Sequence, residues 1–169
     1  SLLAWILRLR GIESIVLEAR SRDYVEQRIR AGVLEQGTVD LLTKAGVGER
    51  LAKEHMFHRG VCIGYKNEHY TLNFEELICR GVTVYGQQEI TRDLLSALAA
   101  EKHNVLYEAP VVAIEGIEGE RPTVRYTQDG IEHEITADIV AGCDGFHGPS
   151  RQSMPKDVLK THETIYPFG

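Results

Sequence analysis

A group of polar residues among three glycines follows a short apolar run late in this sequence. Residues 139–141 are Ile-Val-Ala, and residues 142–151 read Gly-Cys-Asp-Gly-Phe-His-Gly-Pro-Ser-Arg. Polar groups at the carboxyl end of a strand lie where open α/β sheets bind their ligands. Glycine lets a ligand approach the backbone closely, and Arg151 could meet a phosphate through its planar fork of donors. This stretch alone fits a ligand-binding turn and a glycine-rich surface turn equally well.

The front of the chain resembles the second half of a dinucleotide-binding βαβ unit. Apolar residues at 2, 3, 6, 7 and 9 predict a buried helix that ends at Gly11, and residues 14–17 predict a buried strand. The strand is followed by Glu18, and an acid in this place accepts hydrogen bonds from a ribose hydroxyl. The glycine fingerprint lies roughly 20 residues before such an acid, so we expect a first strand and a phosphate loop before Ser1. The alternative is a solvated acid at a strand end.

Two arginines follow this acid at a spacing that suits a pyrophosphate. Arg28 and Arg30 are two positions apart, so in an extended segment both side chains point to the same side. Two guanidinium groups that face one way can bind the oxygens of a diphosphate through charge-assisted hydrogen bonds. The alternative is a pair of solvated surface arginines.

Several stretches together carry a resemblance to a known family. The stretches are Asp23-Tyr24, Arg-Ile-Arg-Ala-Gly-Val-Leu-Glu-Gln at 28–36, Val-Thr-Val-Tyr-Gly-Gln at 82–87, Cys-Asp-Gly-Phe-His-Gly at 143–148 and Tyr-Pro-Phe-Gly at 166–169. With these stretches the chain closely resembles the 4-hydroxybenzoate 3-monooxygenase (para-hydroxybenzoate hydroxylase) family of class A flavoprotein monooxygenases, over essentially all of its length. Residues 144–151 also resemble the Asp-Gly motif of the wider class, in which Arg151 fits the arginine and Gly148 stands where a serine is commoner.

The resemblance implies an α/β fold and an activity. The fold is a Rossmann-like FAD-binding domain with a β-meander, incomplete at both ends. Residues 1–169 would be a partial FAD/NAD(P)-binding domain, with a first strand and glycine loop before residue 1 and a substrate domain after residue 169. The activity is a cytoplasmic conversion of 4-hydroxybenzoate to 3,4-dihydroxybenzoate with NAD(P)H and O₂, in an enzyme that can be a homodimer. The alternatives are a flavin hydroxylase of another phenol and an inactive flavin- or nucleotide-binding fragment.

The resemblance also implies cofactor contacts, whereas no catalytic residue is assigned in this segment. Glu18 would hold the adenosine ribose of FAD, Gln87 would contact FAD further along, and Asp144 would organise the glycine turn. The residues that would run along the FAD are Arg28, Ile29, Arg30, Ala31, Gly32 and Val33. Those that would help to bind the nicotinamide cofactor are Tyr24, Arg28, Arg30 and His147.

The residue after the ribose acid departs from the family pattern. It is Ala19, where NADPH-dependent relatives often have an arginine. A 2′-phosphate needs a cation, and Arg20 or Arg22 is the nearest candidate. NADPH is therefore favoured and NADH stays open.

Composition restricts the remaining classes of function. The net charge of −6 argues against general nucleic-acid binding. Three widely spaced cysteines predict free thiols in a reducing compartment. The opening apolar run is too short to span a membrane, and two arginines interrupt it. His55 and His58 have no acid or cysteine at metal-ligand spacing, so we expect no metal site.

The remaining hydrophobic pattern predicts the elements between these sites. Residues 20–31 read as a polar connection, residues 33–45 and 89–101 as helices, and residues 60–65 and 69–74 as a hairpin. Strands are predicted at 82–85 and 105–107. A meander is predicted from strands at 111–117, 123–127 and 131–136, since Asp129-Gly130 is a strong hairpin signal. Residues 139–141 are expected to return to the main sheet.

Overall fold

The structure is a computed structural model that describes residues 1–167. Phe168 and Gly169, which close the Tyr-Pro-Phe-Gly stretch, lie outside the described residues. The chain divides into two compact units. The larger unit comprises Ser1–Val16 with Arg20–Tyr107, and the smaller unit comprises Leu17–Ala19 with Glu108–Gly169.

The larger unit mixes short helices and strands. Its helices are α1 Leu2–Leu9, α2 Arg22–Gln27, α3 Gln36–Lys44, α4 Glu49–Glu54, α5 Phe74–Ile78 and α6 Gln87–Ala100. Its strands are β1 Ile15–Leu17, β2 Val33–Leu34, β3 Met56–His58, β4 Gly60–Tyr65, β5 Glu68–Asn73, β6 Val82–Val84 and β7 Asn104–Leu106. The last residue of β1, Leu17, is the first residue of the smaller unit.

Strand β6 is the centre of a small antiparallel sheet. It pairs with β2 on one side and β3 on the other, so that Val84 lies opposite both Val33 and Met56. The β-branched residues of β6 suit this central position because they pack well on a pleated surface. β1 pairs with β7 in a separate two-stranded sheet.

Helix α6 packs against both hydrophobic clusters of this unit. Leu94 belongs to the cluster of Leu42, Leu51 and Tyr85, and Leu98 belongs to the cluster with Ala4 and Leu95. Apolar residues three and four positions apart place both clusters along one side of the helix. The indole of Trp5 contacts both clusters, and its Nε1 donates a 2.7 Å hydrogen bond to the carbonyl of Ala45.

The predicted hairpin of β4 and β5 is present, and one of its faces is apolar and exposed. Lys66 and Asn67 have φ angles of 49° and 64°, which is the pattern of the tight turn that joins twisted strands. The apolar face carries two cross-strand pairs, Val61 with Leu72 and Ile63 with Tyr70.

The smaller unit is built on the predicted meander. Its strands are β8 Val111–Glu115, β9 Thr123–Gln128 and β10 Ile131–Thr136, in the sheet order β10-β9-β8. Val124 and Tyr126 of β9 are buried. The Asp129-Gly130 turn joins β9 to β10 with positive φ at both residues. A short helix, α7 Pro149–Gln152, follows the glycine turn.

The structure corrects one predicted strand. Residues 139–141 are in no strand, and Ile139 is 83% exposed. A strand requires a neighbour that accepts and donates ladder hydrogen bonds, and no strand among residues 1–167 pairs with this run. The apolar run is therefore an extended lead into the glycine turn.

Two predicted boundaries in the larger unit are also wrong. The helix predicted at 33–45 begins at Gln36, because Val33 and Leu34 pair with β6 instead. The connection predicted at 20–31 contains α2, which Ser21 caps by accepting a 3.3 Å hydrogen bond from the backbone N–H of Tyr24. Arg22 and Glu26 add an i,i+4 ion pair at 2.7 Å.

Within residues 1–167, no helix has both the length and the apolar character needed to cross a membrane. The same residues contain no group of three or more histidine, cysteine or acidic side chains placed to hold a metal ion.

Candidate functional site

The glycine turn of the smaller unit is closed by Asp144. Its Oδ2 accepts a 2.8 Å hydrogen bond from the backbone N–H of Ser150, the second residue of α7. Pro149 has no N–H to offer, so Ser150 presents one of the first free donors of this helix. A carboxylate at a helix N-terminus is stabilised by these donors. Burial opposes ionisation, but the hydrogen bonds from the Ser150 backbone and hydroxyl lower the pKa of Asp144 below its usual value.

Two glycines of the turn make room for the chain itself. A Cβ on Gly148 would lie 2.0 Å from Cγ of Asp144, and a Cβ on Gly142 would lie 2.5 Å from Cβ of Ser150. Gly145 differs, because its φ is +77° and a Cβ there would meet nothing within 4 Å. The sequence predicted that these glycines make room for a ligand. At 142 and 148 the structure shows instead that they make room for the Asp144–Ser150 contact.

Beside this turn, His147 and Arg151 line one cleft together. The His147 ring stands edge-on to Phe146 at 5.0 Å, and Cζ of Arg151 lies 4.2 Å from the centre of the Phe146 ring. The cleft has a volume of about 340 Å³, and its wall also carries Lys156 and Glu163. Two cations and an imidazole against one carboxylate leave the wall with an excess of donors, which suits an anionic ligand.

The arginine segment of the larger unit, residues 28–33, leaves α2 in an extended conformation. Arg28 has φ −69° and ψ 104°, and residues 28–32 lie in no helix or strand. Ile29 is 84% exposed. Cζ of Arg28 lies 5.9 Å from the centre of the Tyr24 ring, and Cζ of Arg20 lies 5.4 Å from it. Tyr24 and Arg28, predicted from sequence to act together, are therefore neighbours.

The arginine segment ends against the residue that follows β6. The Gly32 carbonyl accepts a 2.7 Å hydrogen bond from the backbone N–H of Tyr85. A Cβ on Gly32 would lie 2.4 Å from the Tyr85 carbonyl oxygen and 2.6 Å from Cα of Gly86. Gly86 caps α6, whose first residue is Gln87. The structure thus brings the end of the arginine segment next to the start of the helix that carries Gln87.

Three observations in the larger unit fit an FAD. Arg28 and Arg30 are exposed, and within the described residues the Arg30 guanidinium has no carboxylate partner. Such donors match the diphosphate of a dinucleotide. Next to Gln87, Oε1 of Gln88 is buried and has no hydrogen-bond partner among residues 1–167, and an orphaned acceptor in this position requires a donor.

Glu18 lies in the smaller unit, directly after β1. It is partly buried, and its backbone carbonyl accepts a 2.9 Å hydrogen bond from the N–H of Ala109. This bond fixes the main chain at Glu18, which directly follows β1, where the sequence predicted it.

A polar network around the buried Tyr85 was not predicted from the sequence. The Tyr85 hydroxyl accepts hydrogen bonds from Arg50, at 3.0 Å from Nε and 2.9 Å from Nη2, and donates to Oδ2 of Asp93 at 2.9 Å. Burial, assisted by the Asp93 carboxylate, raises the pKa of Tyr85 to about 12. The i,i+4 spacing of Glu89 and Asp93 on α6 was the available signal, because it places two acids on one helix face.

These features define a dinucleotide-binding α/β domain. The sequence matches the family described as "FAD binding domain" over residues 1–169, and the chain belongs to that family. FAD is therefore its cofactor class, and the predicted α/β FAD-binding fold is confirmed.

The predicted resemblance to para-hydroxybenzoate hydroxylases is also confirmed. The chain is 41% identical over 169 residues to the p-hydroxybenzoate hydroxylase of Acinetobacter baylyi (strain ATCC 33305 / BD413 / ADP1). The match covers 99% of this chain and 42% of that protein. The chain thus spans less than half the length of this curated relative.

Solved structures with the same fold include two hydroxylating enzymes. The p-nitrophenol 4-monooxygenase of Pseudomonas putida DLL-E4 superposes with a TM-score of 0.78 at 18% identity, over 90% of this chain and 40% of that chain. The anhydrotetracycline hydroxylase of Streptomyces rimosus superposes with a TM-score of 0.75 at 24% identity, over 89% of this chain and 30% of that chain. At these identities the likeness establishes the fold only.

Proposed function

We propose that the whole protein is an FAD-dependent aromatic hydroxylase that converts 4-hydroxybenzoate to 3,4-dihydroxybenzoate with NAD(P)H and O₂. The observation that carries this proposal is the 41% identity to a p-hydroxybenzoate hydroxylase across the whole chain. Bound FAD supplies the redox chemistry in an enzyme of this kind, and the protein supplies binding and orientation. Residues 1–169 then form the FAD-binding part.

In this proposal the larger unit binds the FAD diphosphate. Arg28 and Arg30 donate to its oxygens, and the extended backbone from Ile29 through Ala31 and Gly32 to Val33 runs along the cofactor. Gln87 contacts the cofactor from the first turn of α6. The unpartnered Oε1 of Gln88 supports this placement, because a bound polar group at the same helix end offers it a donor.

The acid that follows β1 and the residues of the glycine turn have roles of their own in this proposal. Glu18 accepts hydrogen bonds from the FAD ribose, as a strand-terminal acid does in such folds. His147 and Arg151 donate to the nicotinamide cofactor from the cleft that they share. Asp144 orders the turn that carries both of them through its hydrogen bond with Ser150.

We propose NADPH over NADH because of the surroundings of Tyr24. Arg20 lies over the Tyr24 ring, where a guanidinium near the ribose acid can meet a 2′-phosphate. Of the two arginines that the sequence offered, Arg20 is our candidate for this contact because it lies nearer to Glu18 in the sequence.

The test uses the purified full-length protein with bound FAD. NADPH and NADH oxidation are followed with 4-hydroxybenzoate, 3-hydroxybenzoate and salicylate, and products are identified by chromatography with ¹⁸O₂ as oxidant. We expect 4-hydroxybenzoate to stimulate oxidation and to yield labelled 3,4-dihydroxybenzoate. Stimulation by another phenol alone would contradict the substrate assignment, and a protein that binds no FAD would contradict the whole proposal.

A further inference from the structure

The hydroxyl of Tyr85 is held by two neighbouring helices of the larger unit. Arg50 of α4 donates to it twice, and Asp93 of α6 accepts from it. Tyr85 is only 5% exposed, so these partners replace water around the hydroxyl. A buried hydroxyl whose donor and acceptor capacity are both used has one favourable orientation.

Arg50 is itself fixed by the acids of α6. It pairs with Glu89 through a short contact and with Asp93 at 3.3 Å. The hydrogen bond that Arg50 donates to Glu89 raises the pKa of Arg50 and lowers that of Glu89. Arg50 therefore cannot leave the Tyr85 hydroxyl without also breaking its ion pairs with α6.

The backbone of the same residue contacts the arginine segment. The Tyr85 N–H donates to the Gly32 carbonyl at 2.7 Å, and the two backbones approach so closely that no Cβ fits at Gly32. The chain then passes through Gly86 to Gln87. The position of the Tyr85 peptide therefore sets where the arginine segment ends and where α6 begins.

We infer that Tyr85 is a positioning residue for FAD binding. Arg50 and Asp93 hold its side chain, its backbone holds Gly32, and the FAD-contacting segment is thereby ordered before the cofactor arrives. Pre-ordering of a binding segment strengthens affinity, because less conformational entropy is lost on binding. This inference rests on the proposed function in one respect, which is that FAD lies along residues 28–33.

The plain alternative is that the network only joins α4 to α6. In that case its loss would lower the stability of the whole unit and leave the arginine segment no more mobile than the rest. The two readings differ in where the change appears, so the experiment must resolve individual segments.

The test compares Tyr85→Phe with Trp5→Phe in the full-length protein. Both changes keep an aromatic ring and remove side-chain hydrogen bonding. Tyr85→Phe loses the three hydrogen bonds of the hydroxyl, and Trp5→Phe loses the one bond to Ala45. Amide hydrogen exchange is measured on the FAD-free proteins, with the β4–β5 hairpin as the internal reference. FAD affinity is measured separately by flavin fluorescence titration.

We expect Tyr85→Phe to speed exchange at residues 28–33 and not in the hairpin, and to weaken FAD affinity by roughly threefold to tenfold. Trp5→Phe should not speed exchange at residues 28–33 relative to the hairpin, and it should leave FAD affinity unchanged. Arg50→Lys should weaken FAD affinity too, and its effect should be less than additive with that of Tyr85→Phe, because both act through one contact.

Equal exchange changes in both segments, or unchanged FAD affinity in Tyr85→Phe, would overturn the inference and leave the proposed function intact. A wild-type protein that binds no FAD would overturn both. Activity with 4-hydroxybenzoate is not needed for either readout, so a wrong substrate assignment does not affect the test.

Discussion

The carboxylate of Asp144 lies 2.8 Å from the backbone nitrogen of Ser150, and this hydrogen bond joins the glycine turn to the first turn of α7. Because the bond favours the ionised acid, the pKa of Asp144 is lowered from its usual value of 3.8. An acid whose pKa is lowered on folding stabilises the fold above its usual pKa. That contribution is lost as the pH falls through the lowered pKa.

We therefore expect Asp144→Asn to lower the melting temperature most at neutral pH. The difference from the wild type should shrink as the pH falls below the usual carboxyl pKa of 3.8, because the unfolded chain then binds a proton that the folded Asp144 still resists. Thermal unfolding monitored by circular dichroism between pH 7 and pH 3 measures this difference. A difference that stays constant across the range would show that the charge of Asp144 does not order the turn.

Gly148→Ala should be more damaging than Gly145→Ala, although both glycines lie in the same turn. At Gly148 the new methyl would collide with Asp144, whereas at Gly145 the cost is the positive φ alone, roughly 1–2 kcal/mol. Gly130→Ala in the β9–β10 turn is the control, because it has a φ of +76° and open space. Denaturant unfolding should show similar losses of stability for Gly145→Ala and Gly130→Ala and a larger loss for Gly148→Ala. A loss for Gly148→Ala that is no larger than the other two would exclude the steric explanation.

Glu18→Ala should weaken FAD binding in the full-length protein and leave the fold intact. The backbone bond from Ala109 to Glu18 survives this change. The loss of a charge-assisted hydrogen bond to a ribose costs about 1.5–3 kcal/mol, or roughly a tenfold to hundredfold weaker affinity. Equilibrium titration with FAD gives the affinity, and Glu13→Ala, at an exposed acid shortly before β1, is the control. Equal affinities in the two variants would mean that Glu18 is only a surface acid.

His147→Ala should impair use of the nicotinamide cofactor while FAD stays bound. His147 lines the cleft with Arg151 and lies outside the Asp144–Ser150 contact, so its removal should not open the turn. Anaerobic stopped-flow reduction by NADPH should show a higher cofactor concentration at half-maximal rate or a slower limiting rate. Normal reduction kinetics, or simple loss of FAD, would contradict the assignment.

Local sequence signals predicted the parts of the fold that depend on neighbouring residues. Asp129-Gly130 predicted the β9–β10 turn because glycine accepts positive φ at low cost. The apolar spacing of α6 predicted a helix that is buried on one side. Val33 and Leu34 were misassigned to a helix, because they pair with Val84 and Thr83 of β6, which are 51 and 49 positions away.

The candidate site was predicted as residue types but not as contacts. The sequence placed Asp144, His147 and Arg151 in one turn, yet it assigned the glycines to a ligand instead of to the Asp144–Ser150 bond. Nothing in the local pattern around Tyr85 shows that Arg50 reaches it. Such a network depends on how α4 and α6 pack around the residue that follows β6, and sequence periodicity carries no information about that packing.

The pairing of β1 with β7 has a consequence for the order in which the chain folds. Ser14 and His103, next to these strands, are in contact although 89 positions separate them, whereas β9 and β10 are joined by the two-residue Asp129-Gly130 turn. Closing a long loop costs more chain entropy than closing a short one. We therefore expect the meander to assemble from local contacts and the β1–β7 ladder to close later, after the intervening chain has collapsed.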